Sequence, residues 1–352
     1  MEIKLPESAK PAGEGGFASA WAEAEKRRSL MAVAAEEKAV PGLTVSPCNL
    51  CPRECNVIRR QGKLGFCRSD ERIFVARAAL HMWEEPCISG ERGSGTVFFS
   101  GCNLRCVYCQ NYEIAAGRKG KPVSVERLAE IFLELQRKGA ENINLVTPDH
   151  HALQVMEAVV RAKAGGLVIP VVYNGSGYEK REAIRALAGV VDIFLTDFKY
   201  MDEKLAERYS SAPDYPFVAK AALAEMVEGA GEPCFDERGM MRRGVIVRHL
   251  LLPGHKQNAR DVIRYVHETY GNKVYLSLMN QYTPFERLKE IFPERCTKGG
   301  DYRELCRKVT KREYESVVDY ALLLGVENAF IQEGDTAKES FIPAFDGEGV
   351  RV

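Results

Sequence analysis

The stretch at 95–112, GTVFFSGCNLRCVYCQNY, constrains this chain more than any other. A β-rich run at 96–99 ends in Ser100-Gly101, and three cysteines follow at once. They are Cys102, Cys106 and Cys109, spaced C-x3-C-x2-C, with Tyr108 just before the third. Three thiolates on one loop cannot close a four-thiolate site. Zinc would need a fourth ligand close by, and the loop holds no histidine. A four-iron, four-sulfur cube usually takes four thiolates; held by three, it leaves one iron open to an outside ligand. The segment therefore reads as a strand that delivers a [4Fe-4S] site with one open position.

A second cysteine set precedes it. The run CNLCPRECNVIRRQGKLGFC carries Cys48, Cys51, Cys55 and Cys67, spaced C-x2-C-x3-C-x11-C. Gly62 and Gly65 let the chain turn back and bring Cys67 to the other three. Four thiolates on one compact loop make a closed metal site, for zinc or for a further [4Fe-4S] cluster. Spacing alone leaves both open. Either metal would hold the segment together, and a cluster there would also serve as an electron relay.

Composition narrows the classes. Lys and Arg number 49 and so do Asp and Glu, so nothing pulls the whole chain toward nucleic acid or an anionic membrane. The basic pairs Arg59-Arg60, Arg242-Arg243 and Lys311-Arg312 are short and read as solvated faces. No apolar run has the length of a membrane span, and MEIKLPESAKPAGEGG lacks a signal-peptide core, so a cytoplasmic protein is expected. In that setting the 11 cysteines of a 352-residue chain point to metal ligation rather than disulfides.

Four segments follow. Residues 1–40 read as a polar arm and an Ala- and Glu-rich helix at 17–39. Residues 41–92 hold the four-cysteine segment and a linker with a strand at 73–79. In that linker His81 reads as a structural histidine, Glu84-Glu85 as a solvated turn and Cys87 as a small buried apolar residue. Residues 93–335 alternate strand with helix, and 336–352 form a tail. Strands are expected at 96–99, 143–146, 168–173, 191–195, 245–252 and 274–279, then a short one at 329–331. Helices are expected at 125–138, 152–164, 179–187, 259–270 and 311–324, the first capped by Ser124. Such alternation means an α/β protein with a parallel sheet and right-handed crossovers. Polar residues gather where the strands end, the place where parallel sheets bind ligands.

The cysteine loop resembles the motif of the radical S-adenosylmethionine (SAM) superfamily. More of the chain resembles glycyl-radical-enzyme activases, and above all an uncharacterised family homologous to pyruvate formate-lyase activating enzyme. The carrying stretches are CNLCPREC, HMWEEPCISGERGSGTVFFSGCNLRCVYCQNYEI, NLVTPDHH, PVVYNGSGYE, DIFLTDFKY and the run 248–254. The resemblance implies a partial (β/α)6 TIM-type barrel with an N-terminal cysteine-rich metal-binding extension. It implies a [4Fe-4S] cluster whose open iron takes the amino and carboxylate groups of SAM. An electron then cleaves SAM to methionine and a 5′-deoxyadenosyl radical, chemistry that side chains alone cannot supply. Asp197 and Lys199 match an activase Asp-x-Lys that contacts SAM, and Arg248 with Pro253 matches a fifth-strand Arg and Pro. Tyr108 belongs to the cluster motif, and Asn174 and Ser176 suit the ribose hydroxyls. Where the superfamily commonly has Gly-Gly-Glu, this chain has Thr147-Pro148-Asp149, so Thr147 or backbone carbonyls are expected to meet the SAM amino group.

Partners implied are SAM, a reduced flavodoxin- or ferredoxin-type donor, and a protein substrate that offers a glycine. Modification of a small molecule, a peptide or a nucleic acid is the alternative within the class. A non-catalytic iron–sulfur accessory protein is the alternative outside it. The chain departs from several activases in one way: its additional cysteines precede the motif instead of following it. Cys234, Cys296 and Cys306 are widely spaced and read as ordinary thiols.

Overall fold

The computed structural model describes residues 40–117, 119–284, 286–297, 299–332 and 343–351. The helix expected at 17–39 lies outside them. Ten strands are present among the described residues: β1 (Ile73–His81), β2 (Ser94–Phe99), β3 (Lys121–Val123), β4 (Ile143–Val146), β5 (Val171–Gly175), β6 (Ile193–Asp197), β7 (Cys234–Phe235), β8 (Met241–Leu250), β9 (Tyr275–Met279) and β10 (Ala329–Ile331). The main sheet runs β10-β9-β8-β6-β5-β4-β2-β1-β3, and β7 pairs with β8 at the side. From β2 through β10 each neighbour in that order is parallel. This is a mixed α/β fold built on one large sheet. Its parallel part has the six strand–helix units, plus a seventh strand, that the sequence pattern predicts.

Helices cross between those strands because their apolar positions recur at helical spacing. In Val125–Arg137, Leu128, Ile131, Phe132 and Leu135 are buried on one face, and the Ser124 hydroxyl accepts the Arg127 amide as an N-cap. Thr310 and Glu313 form a capping box at the start of Lys311–Leu323. Some boundaries shift from expectation. β5 starts at Val171, because Pro170 has no amide to donate and Val168 stays exposed. β6 starts at Ile193, because the Val191 amide still closes the preceding helix on Leu187. Among the helices that were not expected, the two longest are Glu203–Ser210 and Tyr215–Ala230. Their signals were an Asp202 cap on Lys204 and Leu205, and a proline, Pro216, in the first turn.

β1 is antiparallel to β2, so its end, His81, lies beside Ser94 at the amino ends of the parallel strands. The chain then passes beneath the sheet. The short helix Pro86–Ser89 buries Cys87 and Ile88 against Val172, Ile193, Leu195, Ile246 and Phe330. These residues form a floor under the strand ends, and Cys87 is the small buried residue its sequence suggests. The C-terminal segment docks on the same strand. Gly347 donates to Ala76, Glu348 accepts from Ala78, and Phe345 meets Phe98 edge-on.

Candidate cluster and cofactor site

The triad loop leaves β2 at its carboxyl end. Gly101, at φ +98°, makes the turn; a Cβ there would lie 2.7 Å from the Cys67 carbonyl oxygen, so glycine is required. Backbone amides of Leu104 and Arg105 point at Cys102 Sγ at 3.4 and 3.5 Å. The Ser210 hydroxyl donates to Cys106 Sγ at 3.0 Å. Tyr108 joins the same chain: its hydroxyl meets that of Tyr200 at 2.6 Å, and Tyr200 meets Ser210 at 2.8 Å. Donors aimed at sulfur suit thiolates, the charge state a cluster needs, although no three His, Cys, Asp or Glu side chains among the described residues stand at metal-holding geometry. Burial pushes the Cys102 thiol far up and the Cys109 thiol up to about 12, so metal loading must expel protons.

All three cysteines face one cavity of about 580 Å³, with Asp197, Lys199 and Arg248 on its wall. Asp197 and Arg248 stand opposite each other on the adjacent parallel strands β6 and β8. Lys199 Nζ lies 2.5 Å from Asp197, and Arg248 Nε donates to Asp197 at 3.2 Å. Burial alone would raise the Asp197 carboxyl, but these two cations outweigh it and hold it below its ordinary value. Arg248 also donates to Asn174 at 2.5 Å. Thr147 lines the cavity in the left-handed region, φ 56°, and its amide donates to the Asn174 carbonyl. Ser176 lines it too, with its hydroxyl toward Glu179 and Asn103. Pro253 is not on the cavity wall.

One expectation is corrected. Glu84-Glu85 is no solvated turn: the floor segment carries both side chains into the cavity. The Glu84 side chain is 9% exposed and pairs with Arg248 at 3.1 Å. Asn144 and Asn174 also donate to it. Two adjacent carboxylates look solvated in sequence; a strand pairing that turns them inward is a tertiary event. His81 also lines the cavity; burial lowers it to about 4, and it packs edge-on to Phe98.

The four-cysteine segment lies against the triad loop, and none of its sulfurs lines the cavity. Cys67 accepts the Cys102 amide through its carbonyl. Arg53 donates to the Asn103 carbonyl at 2.9 Å and also holds the carbonyls of Ser210 and Ser211. Sulfur is again met by donors: the Phe66 amide reaches Cys55 Sγ and the Arg59 guanidinium reaches Cys67 Sγ, both at 3.2 Å. Gly65 leaves room, since a Cβ there would touch both Cys55 and Cys67 sulfurs at 3.5 Å. Arg59 is 1% exposed and also donates to the His150 carbonyl. A buried guanidinium favours an anion beside it, and the Arg59 charge offsets part of the rise that burial gives the Cys67 thiol. Asp149 belongs to this boundary and not to the cavity: its charge raises the Cys51, Cys67 and Cys102 thiols after burial has done so. Sequence patterning had no way to signal Arg53, Arg59 or Ser210, whose partners lie far along the chain.

Residues 96–265 match the model described as "Radical SAM superfamily". This stretch is a radical SAM domain. Two archaeal relatives from Methanocaldococcus jannaschii are similar across most of the chain. "Uncharacterized protein MJ0674" is 29% identical over 284 residues, 78% of this chain and 74% of the relative. "Uncharacterized protein MJ0808" is 23% identical over 269 residues, 70% and 73% respectively. Among solved structures, Streptococcus suis SuiB bound to precursor peptide SuiA is similar at 13% identity and a TM-score of 0.40. That match covers 66% of this chain and 46% of SuiB. A radical SAM domain implies a [4Fe-4S] cluster and SAM as its cofactors. No described helix is long and apolar enough to cross a membrane.

Proposed function

We propose that the chain is a radical SAM enzyme that removes a hydrogen atom from a carbon presented over the cavity. The observation that carries this is the convergence of Cys102, Cys106 and Cys109 with the Asp197–Lys199–Arg248–Glu84 network on one cavity. A bound cluster supplies the electron that cleaves SAM. This chain's own residues then do the holding. The triad thiolates bind three irons. Lys199 and Arg248, fixed by Asp197 and Glu84, offer positive charge and donors to the SAM carboxylate and ribose, and Asn174 offers its amide. Tyr108, Tyr200 and Ser210 fix the Cys106 sulfur through one hydrogen-bond chain. A flavodoxin- or ferredoxin-type protein is the proposed donor. A glycine on a partner enzyme is the substrate that the sequence resemblance favours.

Cys48, Cys51, Cys55 and Cys67 are proposed as a second thiolate metal centre; the buried Arg59 beside Cys67 supports it. The test is anaerobic reconstitution, counting iron, sulfide and zinc, then reduction with SAM and assay of 5′-deoxyadenosine. The reading expects about four irons for the triad, with zinc or further iron at the quartet, and a cluster spectrum that SAM changes. A spectrum indifferent to SAM overturns it.

A further inference from the structure

The cavity holds a carboxylate that the network leaves unspent. Glu85 is 8% exposed, lines the cavity, and its Oε2 has no hydrogen-bond partner. Ser277 lines the same cavity and acts on this carboxyl, favouring its charged form. Arg248 acts on Glu85 by charge, while its three nitrogens hydrogen-bond Asp197, Glu84 and Asn174. Lys199 is given to Asp197. The wall therefore carries three carboxyl groups, Glu84, Glu85 and Asp197, beside two cations, Lys199 and Arg248; burial raises Glu84 and Glu85, and Arg248 offsets part of that. His81 adds no charge, since burial keeps it neutral at pH 7. A buried carboxylate oxygen without a donor costs free energy until a donor arrives, and an uncompensated charge costs more.

The surroundings say what kind of donor fits. Glu85 enters from the floor segment, at the amino ends of the strands, while the triad sits at the carboxyl end of β2. The wall also carries apolar groups, among them Phe98, Val146, Met279 and Phe330. We propose that Glu85 and Ser277 form a substrate subsite for a protonated nitrogen group, an ammonium or guanidinium carried on an apolar stem. The proposal rests on the radical SAM reading, which puts SAM at the triad and leaves the floor to the substrate. The ion pair with Glu85 then anchors one end of the substrate and holds its stem along the apolar wall.

The test uses the full chain with n-pentylamine and pentylguanidine as probes and n-pentanol as the neutral match, each titrated by calorimetry. A hydrogen-bonded charge pair predicts that the cations bind at least about tenfold more tightly than the alcohol. Glu85→Gln should bring the amine down to the alcohol's level. Equal binding of amine and alcohol by the wild-type chain overturns the proposal with no variant needed, as does an amine preference that survives Glu85→Gln. SAM is added separately to reconstituted wild-type protein. A cluster spectrum that ignores SAM sinks the radical SAM reading, whereas a missing amine preference beside a normal SAM response sinks only the subsite.

Discussion

Two sets of cysteines lie side by side in this fold and are built to opposite ends. The triad of Cys102, Cys106 and Cys109 opens onto the cavity, and its neighbours are the polar groups of β5, β6 and β8. The quartet of Cys48, Cys51, Cys55 and Cys67 is turned from the cavity and backed by a buried arginine. Residue type is the same in both. What differs is cysteine number and the surface each set faces: three line the cavity, where a cluster would keep a position open for chemistry, and four lie away from it, where the proposed metal would be closed off. The contact is nonetheless intimate, because the Cys67 carbonyl accepts the Cys102 amide.

The largest expected effect separates the two outright. Cys102→Ala should reduce 5′-deoxyadenosine formation to background while the quartet keeps its metal. Cys51→Ala should do the reverse at the quartet, with the SAM-induced spectral change retained. If both variants lose both properties, the sites are one unit and the comparison breaks. Next is Arg59→Met. Removing one partner of a buried charge pair costs about 3–5 kcal/mol, so the melting temperature should fall and quartet metal should be lost before triad iron. Unchanged metal content would show that Cys67 is no thiolate ligand.

Glu179 sharpens the boundary between the sets. Burial, helped by the Asp149 charge, raises its carboxyl to about 8, while Oε1 accepts the Ser176 amide. A raised carboxyl means the folded chain binds the proton more tightly than the unfolded chain does. Stability from this group is full below the unfolded value of about 4.3 and is lost as pH rises toward 8. Glu179→Gln should therefore flatten that decline, with a gain of at most about 5 kcal/mol at pH 8. Denaturant melts from pH 5 to pH 9 would show it, and parallel curves for both proteins would refute it. The smallest effect is at the cavity. Glu84→Gln removes a charged hydrogen bond from Arg248 but leaves Asp197 in place. SAM affinity should fall about tenfold to a hundredfold, read by titrating the cluster spectrum.

The sheet was largely legible, because period and turn residues are local signals. The six units and the closing strand stand where the alternation placed them, and the Ser124 cap is present. The lining of the cavity was legible where residues sit near strand ends: Asp197, Lys199, Arg248, Asn174, Ser176 and Thr147 all reach it. It was illegible where placement depends on pairing across the chain. Glu84 and Glu85 enter only because β1 runs backward beside β2 and carries them to the floor. Ser210 reaches Cys106 from a helix that the periodicity did not mark, 104 residues along.

The central claim is that three thiolates face the cavity with one iron left for SAM. The direct measurement is Mössbauer and EPR spectroscopy of the anaerobically reconstituted, iron-57 protein in a Cys51→Ala background, with and without SAM. The account predicts one cube with a single distinct iron whose signal shifts when SAM is added. A cube with four equivalent irons, unmoved by SAM, would contradict it.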